Sequence, residues 1–536
     1  MHFLQFPLNF FGKGTRIMSF KNEIVVNNIV KNVHTNEVSV ELKTNYLGEE
    51  VTKSIPRGEM NYKGLRDLCS FGFPFLSLEE INKFFDSFAE DEENLPLKKV
   101  FNLLGWHKVE GKLCFLHRQA MYKGSEQGLS YVGSLDLSQK GSLSEQLDFF
   151  NTKVKKFVGL QTVCAVALSS AIVGMLPEKD LKFIFHIEGE STSGKTTSLM
   201  LAGSMWGNPQ ISPKGIVRNW NTTANGLIQA VGGNKGILIG LDELSMTDAN
   251  TTQLTYLLTG GTDKRRWSSN DGVEKDFRTV FMSTGEIQFK KSNFGGIAVR
   301  LFEIKNYNFT ESKENADMIL SSIHANYGNI GYEFAKVLSS YTPEKIQEIL
   351  EKDTAKVIKR IKFHAEKQGK QYSPLFSRLA EKIATVVVAS RLAKHKLGME
   401  FDIKEIVDFL ICESTILQAG QEQSNEAMIK FFEEYLKNKS KFPEKVDFNV
   451  AGIWGKTVVQ KGNITEIVIL YNRFTEIMGK LGYPDTRSLF RSLKEKGYIK
   501  CEEGKNYLRR NIGSLTKTPV VVIDVPMVKE ASDIVL

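Results

Sequence analysis

Residues 184–205 read IFHIEGESTSGKTTSLMLAGSM, and the segment Gly189–Thr196 (GESTSGKT) within them decides the fold. An apolar run precedes this segment and a helix-compatible run follows it, which is the strand–loop–helix context of a phosphate-binding loop. Glycines at 189 and 194 let backbone amides approach phosphates closely. The segment therefore predicts a nucleoside triphosphate site, and an accidental Gly/Ser turn is the alternative.

The loop also supplies side chains for the phosphates and for a metal ion. Lys195 is placed to reach the β- and γ-phosphates as a point charge, and the Thr196 hydroxyl is placed to ligate Mg²⁺. ATP and Mg²⁺ are therefore the expected cofactors. The candidate nucleotide contacts are Gly189, Glu190, Ser191, Thr192, Ser193, Gly194, Lys195, Thr196 and Thr197.

The second candidate element is Asp242-Glu243, which directly follows the apolar run Ile237–Leu241. A strand at this position delivers two carboxylates to one edge of a sheet. We assign Asp242 to the magnesium ion and Glu243 to the attacking water, because a carboxylate can orient and deprotonate that water. The alternative is an acidic cap on an ordinary strand, which the neighbouring phosphate loop disfavours.

A third apolar run, TVFMST, ends in Ser283-Thr284. We expect this strand between the two that carry the loop and Asp242, so that Thr284, or else Ser283, contacts the γ-phosphate or the water. Arg300 follows among apolar neighbours, and an arginine at a subunit edge can stabilise the transition state in the next subunit's site. A surface arginine whose stem packs on apolar neighbours is the alternative.

These elements predict an α/β fold with a parallel sheet between about 150 and 310, whose strand candidates are Lys182–Ile187, Gly236–Leu241 and Thr279–Ser283. Three domains are expected. Residues 1–145 form an N-terminal α+β domain without an assigned role, which ends in a polar connector. Residues 150–425 form an ATPase domain whose last part is mostly helical, and residues 440–536 form a winged-helix domain.

The composition describes a globular chain, with 41% hydrophobic and 25% charged residues among 536. Its formal charge of +8 permits a nucleic-acid partner without requiring one. Five scattered cysteines without zinc-ligand spacing suit reduced thiols in a cytoplasm. Residues Phe157–Leu176 are uncharged and long enough to span a membrane, but Gln161 and the strand that follows favour a helix buried in the ATPase core and no membrane partner.

Several stretches together resemble one family: GESTSGKTT, RNWNTTANGLIQAV, ILIGLDEL, GGTDKRRW, FMSTGE and GGIAVRLFEI. They resemble the minichromosome-maintenance-like AAA+ helicases and, more closely, the replicative helicases of staphylococcal cassette chromosomes and related phage or island proteins. The resemblance implies a hexameric ring with ATP sites shared between subunits. It makes Arg300 the arginine finger and Arg378 the second sensor. It also implies that the 150–425 domain includes a helical lid and, between these two arginines, a helical insertion that lets the second sensor act in trans. The first sensor, usually Asn in the archaeal and eukaryotic helicases, would here be Thr284.

Two regions are candidates for contact with DNA. Lys264, Arg265 and Arg266 precede an Asn-Asp-Gly turn signal, and the resemblance places this basic hairpin in the ring channel against single-stranded DNA. A solvated run of charge is the alternative. In the C-terminal unit a predicted helix exposes Arg487, Arg491 and Lys494, which would contact duplex DNA unless the unit holds a protein partner.

These observations favour an ATP-dependent DNA helicase of a bacterial mobile element, assembled as a homo-hexamer and working beside other replication proteins of that element. The alternative is an ATP-switched origin-binding initiator or helicase loader without processive unwinding. A primase–helicase is disfavoured, because the N-terminal region carries neither a zinc ribbon nor an acidic catalytic cluster. A scaffold with an inactive site conflicts with the joint presence of Lys195, Thr196, Asp242 and Glu243.

Overall fold

A computed structural model gives the architecture of the chain. It describes residues 18–20, 24–221, 223–247, 249–260, 276–289, 299–368, 375–413, 423–446, 452–483, 486–502 and 504–531. Within these ranges the chain forms a large mixed sheet, a parallel sheet with helices around it, and a C-terminal unit with its own core.

The N-terminal region forms a large curled sheet with two helices, in agreement with its alternating sequence pattern. The sheet order is β12-β6-β7-β8-β9-β5-β2-β3-β4, and β1 also pairs with β2. The elements are β1 (Met18–Phe20), β2 (Ile24–Asn32), β3 (Val38–Tyr46), β4 (Glu49–Pro56), α1 (Tyr62–Asp67), α2 (Leu78–Asp91), β5 (Leu97–Phe101), β6 (Leu104–Val109), β7 (Lys112–Leu116), β8 (Gln119–Tyr122) and β9 (Ser125–Tyr131).

The central region alternates strands and helices, as the sequence predicts. Its elements are α3 (Leu143–Thr152), α4 (Val158–Met175), β10 (Ile184–Glu188), α5 (Lys195–Ser204), β11 (Val217–Asn219), α6 (Ala224–Val231), β12 (Asn234–Lys235), β13 (Ile239–Asp242), α7 (Thr251–Gly260), β14 (Phe281–Gly285) and β15 (Leu301–Lys305). Five more helices complete it: α8 (Lys313–Ala325), α9 (Asn329–Leu338), α10 (Pro343–Lys367), α11 (Leu375–Leu397) and α12 (Ile403–Cys412).

Five strands form the parallel sheet, in the order β11-β13-β14-β10-β15. The predicted central position of β14, between β13 and β10, is confirmed. The three predicted strands exist, but each starts two or three residues later than expected and ends one or two residues later. The residues of β10, β13 and β14 are nearly all buried, which explains why these three strands read as continuous apolar runs.

Strand β12 connects the two sheets. It lies between α6 and β13 in sequence, yet it pairs in parallel with β6 of the large sheet. Gly105 and Gly174 make this possible, because a Cβ added at either would lie 2.0–2.1 Å from the Lys235 carbonyl oxygen. The segment expected to be a connector is also packed, since Leu135 and Leu137 are buried in the same core as α4. The expected boundary at 145 therefore does not separate two cores.

Helix α4 is the one described helix long and apolar enough to cross a membrane, and 94% of its apolar window is buried inside the fold. It packs against α5, α11 and α12. Gln161 on this helix donates to the Lys155 carbonyl and accepts from the Asp402 amide, so its polar groups are satisfied inside the protein. The prediction of a buried core helix is confirmed.

The C-terminal unit begins earlier than expected, because α13 (Gln423–Lys437) packs into its core. The expected start at 440 therefore moves to 423. A helix-turn-helix is followed by an antiparallel hairpin, and the hairpin belongs to a sheet of order β16-β17-β20-β18 with β19 also on β20. The elements are β16 (Gly455–Gln460), β17 (Asn463–Leu470), α14 (Tyr471–Lys480), α15 (Thr486–Glu495), β18 (Ile499–Lys500), β19 (Leu508–Ile512), β20 (Leu515–Asp524) and α16 (Val525–Ala531).

Candidate functional site

The phosphate-loop segment connects the end of β10 to the start of α5. Gly194 adopts a left-handed conformation with φ 80°, and a Cβ there would lie 2.6 Å from the Thr310 hydroxyl. Glycine is required at this position for both reasons. The Phe309 amide donates to the Ser193 carbonyl at 2.9 Å, so the segment after β15 is hydrogen-bonded to the loop.

Lys195 is buried and turned back onto its own loop. Its ammonium donates to the carbonyl oxygens of Gly189 at 2.7 Å and Glu190 at 2.6 Å. Two neutral carbonyls satisfy donors without cancelling the charge, so the loop retains a net cation at its centre. The helix N-terminus beside it adds backbone N–H donors, and both features favour an anion.

Asp242 and Thr196, the two residues assigned to magnesium, are in contact. The Thr196 hydroxyl lies 3.1 Å from Oδ1 and 3.3 Å from Oδ2 of Asp242. Both groups are oxygen donors of the type that Mg²⁺ prefers, and the carboxylate is nine-tenths buried. The chemistry of this donor pair fits a magnesium ion.

Thr284 completes the group from the neighbouring strand. Its hydroxyl donates to Asp242 Oδ1 at 2.5 Å and accepts from the Glu243 amide at 3.2 Å. Glu243 lies just beyond β13 with φ 60°, so the chain turns there and does not continue as a strand. The Glu243 carboxylate accepts a hydrogen bond from the Ser245 hydroxyl at 2.5 Å. The structure thus brings Thr196, Asp242, Thr284 and the Glu243 backbone together below the loop.

A cavity of about 520 Å³ is lined in part by residues of the loop. Its lining is polar and includes Ser191, whose hydroxyl donates to Glu286 at 2.7 Å. The volume falls within the roughly 300–1,000 Å³ range of small-molecule sites. The lining residues are Glu190, Ser191, Thr192, Ser193, Asn306, Asn308, Thr310, Glu311, Ser312 and Lys313.

Ser283, the second candidate on β14, belongs to a different group. It accepts from the Trp220 ring N–H at 2.9 Å and lies 3.0 Å from His186 Nδ1. Burial, with the Lys195 and Lys305 cations nearby, lowers the pKa of His186 to about 4. This neutral network lies beneath the site and supports the strand tips. A lone histidine in an apolar strand gave no sequence signal for it.

Arg300 and Arg378 are not brought to the loop of their own chain. The Arg300 carbonyl accepts from the amide of Ile184, the first residue of β10, whereas the loop follows the last residue of that strand. Five strand residues separate the two ends by roughly 16 Å. Both guanidinium groups instead contact Asp180, at 3.5 Å and 3.2 Å.

The candidates for contact with DNA have four different outcomes. Lys264, Arg265 and Arg266 lie outside the described residues, and Arg487 lies on α15 without a described side chain. Arg491 is exposed on α15. Lys494 has a structural contact, since its ammonium donates to Asn506 Oδ1 at 2.7 Å and to the Lys505 carbonyl.

Sequence reasoning missed Arg509 and Arg510, two adjacent exposed residues on β19. They lie in the hairpin that follows the helix-turn-helix. Two adjacent cations in a short strand resemble any solvated strand edge, so the one available sequence signal was the local excess of positive charge.

Comparisons with known proteins agree with this architecture. A family model described as a domain of unknown function (DUF927) matches residues 12–278, and the model of the Cch helix turn helix domain matches residues 423–527. A solved structure described as "SCCmec type IV Cch - active helicase" superposes with a TM-score of 0.75, at 22% identity and 95% coverage of each chain. The likeness shows that this chain has the same fold.

A second solved structure, an apo form of the NrS-1 C-terminal region, aligns over 93% of this chain and 96% of that chain. Its identity is 10% and its TM-score 0.27, too low to support an argument. No curated protein matches the sequence.

Proposed function

We propose that this chain is an ATP-dependent DNA helicase of a bacterial mobile element, built on a minichromosome-maintenance-like AAA+ core. The observation that carries the proposal is the contact of Asp242 and Thr284, at the ends of adjacent strands, with Thr196 in the first turn of the helix that follows the loop. The strand order, with β14 between the strands that carry the loop and Asp242, supports it. The fold shared with the structure described as an active helicase supports the choice of helicase among ATPases.

The proposed chemistry is attack of water on the γ-phosphate, which breaks the bond to the leaving ADP oxygen. Lys195 and the loop amides would hold the phosphates. Glu243 would accept the proton of the water, while Thr284 orients Asp242 and the γ-phosphate. A magnesium ion, held by Thr196 and Asp242, would neutralise phosphate charge when bound.

The positions of Arg300 and Arg378 support a site shared between subunits. Both contact Asp180, which precedes the end of β10 opposite their own phosphate loop, so a γ-phosphate bound by them would belong to a neighbouring chain. A head-to-tail arrangement that repeats this contact forms a ring when the rotation between neighbouring subunits closes on itself. A homo-hexamer is the proposed assembly.

DNA is the proposed partner at two places. The basic segment 264–266 would track the backbone of a single strand in the ring channel. The C-terminal winged helix would contact duplex DNA through Arg491 on α15 and Arg509 and Arg510 on the hairpin, all of which are exposed.

The second candidate is an ATP-switched initiator or loader that binds an origin without processive unwinding. The helix-turn-helix unit favours it, because such a unit suits recognition of duplex sites. The two functions differ in their products: a helicase separates strands with each round of hydrolysis, whereas the initiator binds duplex DNA in a nucleotide-dependent way.

The test is strand separation on forked DNA with tails of either polarity, together with ATP turnover. Lys195→Ala and Glu243→Gln should abolish both activities. The matched controls are Lys404→Ala and Glu405→Gln, two exposed residues of α12. Wild-type ATP turnover without unwinding on any fork would favour the initiator. Full activity in both site variants would show that the motor site is elsewhere.

A further inference from the structure

Asp180 lies in the turn between α4 and β10, at the end of β10 opposite the phosphate loop. Its Oδ2 atom lies 3.2 Å from Nη2 of Arg378 and 3.5 Å from Nη2 of Arg300. One carboxylate oxygen is therefore shared by two guanidinium groups from different parts of the chain, the start of β15 and the first turn of α11.

Hydrogen bonds also hold the backbone at Asp180. Lys382 lies one helical turn after Arg378 on α11, and it is 1% exposed. Its ammonium donates to the carbonyl oxygens of Asp180 at 2.5 Å and Lys182 at 3.0 Å. Two side chains of α11 therefore contact this turn. Lys382 binds its main chain, and Arg378 binds the Asp180 carboxylate.

The charges around Asp180 explain why a carboxylate is needed there. Arg300, Arg378, Lys182 and Lys382 all interact electrostatically at this position. Like charges repel, so the two guanidinium groups stay side by side because a negative oxygen lies between them. Burial, with the two arginines adding to it, lowers the pKa of Lys382 to about 7.

The arginines remain accessible while Asp180 holds them. The side chain of Arg378 is 47% exposed and that of Arg300 is 22% exposed. Arg378 contacts Asp180 through one nitrogen, and a guanidinium carries five N–H donors in a planar fork. Arg378 can therefore contact a phosphate without leaving Asp180. The Arg300 guanidinium also packs on the Tyr256 ring, 5.5 Å from its centroid.

We propose that Asp180 is a positioning residue that holds Arg300 and Arg378 as one cationic pair, oriented toward the nucleotide of a neighbouring subunit. This inference rests on the proposed function. Asp180 does not touch the nucleotide in this proposal. It sets the distance and direction of the two groups that do, and it keeps them together when no phosphate is present.

The opposite role would be a latch, in which Asp180 competes with the phosphate for the arginines. The two roles predict opposite changes in ATP turnover. Removal of a latch raises ATP turnover, whereas removal of a positioning residue lowers it. Because Arg378 contacts Asp180 through one nitrogen, and both guanidinium groups need a negative charge between them to stay adjacent, the structure favours positioning.

The experiment measures DNA-stimulated ATP turnover of the full chain carrying Asp180→Asn, Asp180→Ala or Asp180→Glu. The asparagine and alanine variants should lower kcat roughly 10- to 100-fold, as displacement of a catalytic group by about 1 Å does. Their KM for ATP should stay within about twofold of wild type, since the phosphate loop is intact. Asp180→Glu keeps the charge and should restore most of kcat.

Glu178→Gln is the matched control, because Glu178 is an exposed acid two residues away in the same turn. It should behave like wild type. Arg300→Ala is the reference for complete loss of the pair, and thermal midpoints are measured for every variant.

The outcomes separate the two proposals. If Arg300→Ala abolishes turnover but Asp180→Asn keeps or raises it, the positioning role is wrong and the proposed function stands. The positioning role is also wrong if Asp180→Glu fails to rescue and all three variants melt early, which would indicate a purely structural contact. If the wild-type chain does not hydrolyse ATP, the proposed function fails and this inference fails with it.

Discussion

Thr284 donates a hydrogen bond of 2.5 Å to Oδ1 of Asp242, and this bond joins the tips of two neighbouring parallel strands. The same carboxylate accepts from Thr196 on the phosphate-loop helix. Asp242 is therefore oriented from two sides by hydroxyl groups, one from its own sheet and one from the loop. In the proposed mechanism both hydroxyls lie where the γ-phosphate and the metal would meet.

The first prediction concerns Thr284. Replacing it with Val keeps the shape but removes the hydroxyl, so Asp242 and the Glu243 backbone lose a partner. We expect ATP turnover to fall roughly 10- to 100-fold, with nucleotide binding retained. Thr284→Ser should keep at least half of the activity. Equal activity in the valine and serine variants would remove Thr284 from the mechanism.

The second prediction tests whether sites are shared between chains. Lys195→Ala and Arg300→Ala should each be inactive alone. When mixed in equal amounts, about a quarter of the interfaces in a randomly assembled ring would combine an intact loop with an intact arginine. ATP turnover should recover to about that fraction of wild type. A mixture as inactive as its components would place Arg300 outside a shared site.

The third prediction concerns the hairpin of the C-terminal unit. The double variant Arg509→Glu, Arg510→Glu should weaken duplex binding. It should also lower the slope of log affinity against log salt by about one for each phosphate that the hairpin no longer neutralises. Lys437→Glu, an exposed change on α13, is the control. An unchanged salt slope would favour a protein partner for this unit.

The fourth prediction is a pH dependence of stability. Burial lowers the pKa of His117 from 6.5 to about 4, and its Nε2–H donates to the Trp206 carbonyl at 2.8 Å. Between these two pH values the unfolded chain binds a proton that the folded chain does not, so the free energy of unfolding falls as pH is lowered. The loss is at most roughly 1.4 kcal/mol per pH unit for this group.

Denaturant unfolding at a series of pH values between 7.5 and 4.5 measures this slope. His117→Gln should make it shallower, and exposed His324→Gln should not change it. His107 and His186, whose pKa values burial also lowers to about 4, contribute to the remaining slope in the same direction. A slope that His117→Gln leaves unchanged would contradict the assignment.

The fifth prediction concerns the contact between the two sheets. Gly174→Ala places a Cβ about 2.1 Å from the Lys235 carbonyl oxygen, which is backbone and has little freedom to move. The free energy of unfolding should fall by roughly 1–3 kcal/mol, as for other overpacked sites. Gly479→Ala on α14 meets nothing within 4 Å and should instead be neutral or stabilising. Similar stability for both variants would rule out this packing.

The sequence predicted the placement of polar residues at the ends of buried parallel strands. Asp242 and Thr284 each end an apolar run, and parallel strands bring such ends to one edge of a sheet, so their proximity followed from the pattern. The position of Thr284 beside Asp242 can be predicted from the strands alone, without the conformation of the loops. The buried character of α4 also followed from its uniform apolar composition.

The sequence pattern did not predict very short elements, or contacts between residues that lie far apart in the chain. Strand β12 has two residues, too few for any periodicity, so its pairing with β6 was invisible. Asp180 is one acid in a charged turn, and its partners lie 120 and 198 residues away. Helix α13 reads like the amphipathic helices before it, so the start of the C-terminal unit at 423 was missed.

The Lys235 carbonyl packs closely against Gly105 and Gly174, and this contact limits where the chain can be divided into parts that fold separately. Residues of β6–β9, Leu135 and Leu137 share one core with α4, so a cut at 145 would leave an incomplete fold on both sides. The C-terminal unit has a separate core from 423 onward. The C-terminal unit can therefore be removed or replaced as one piece, while the large sheet and the parallel sheet must stay together.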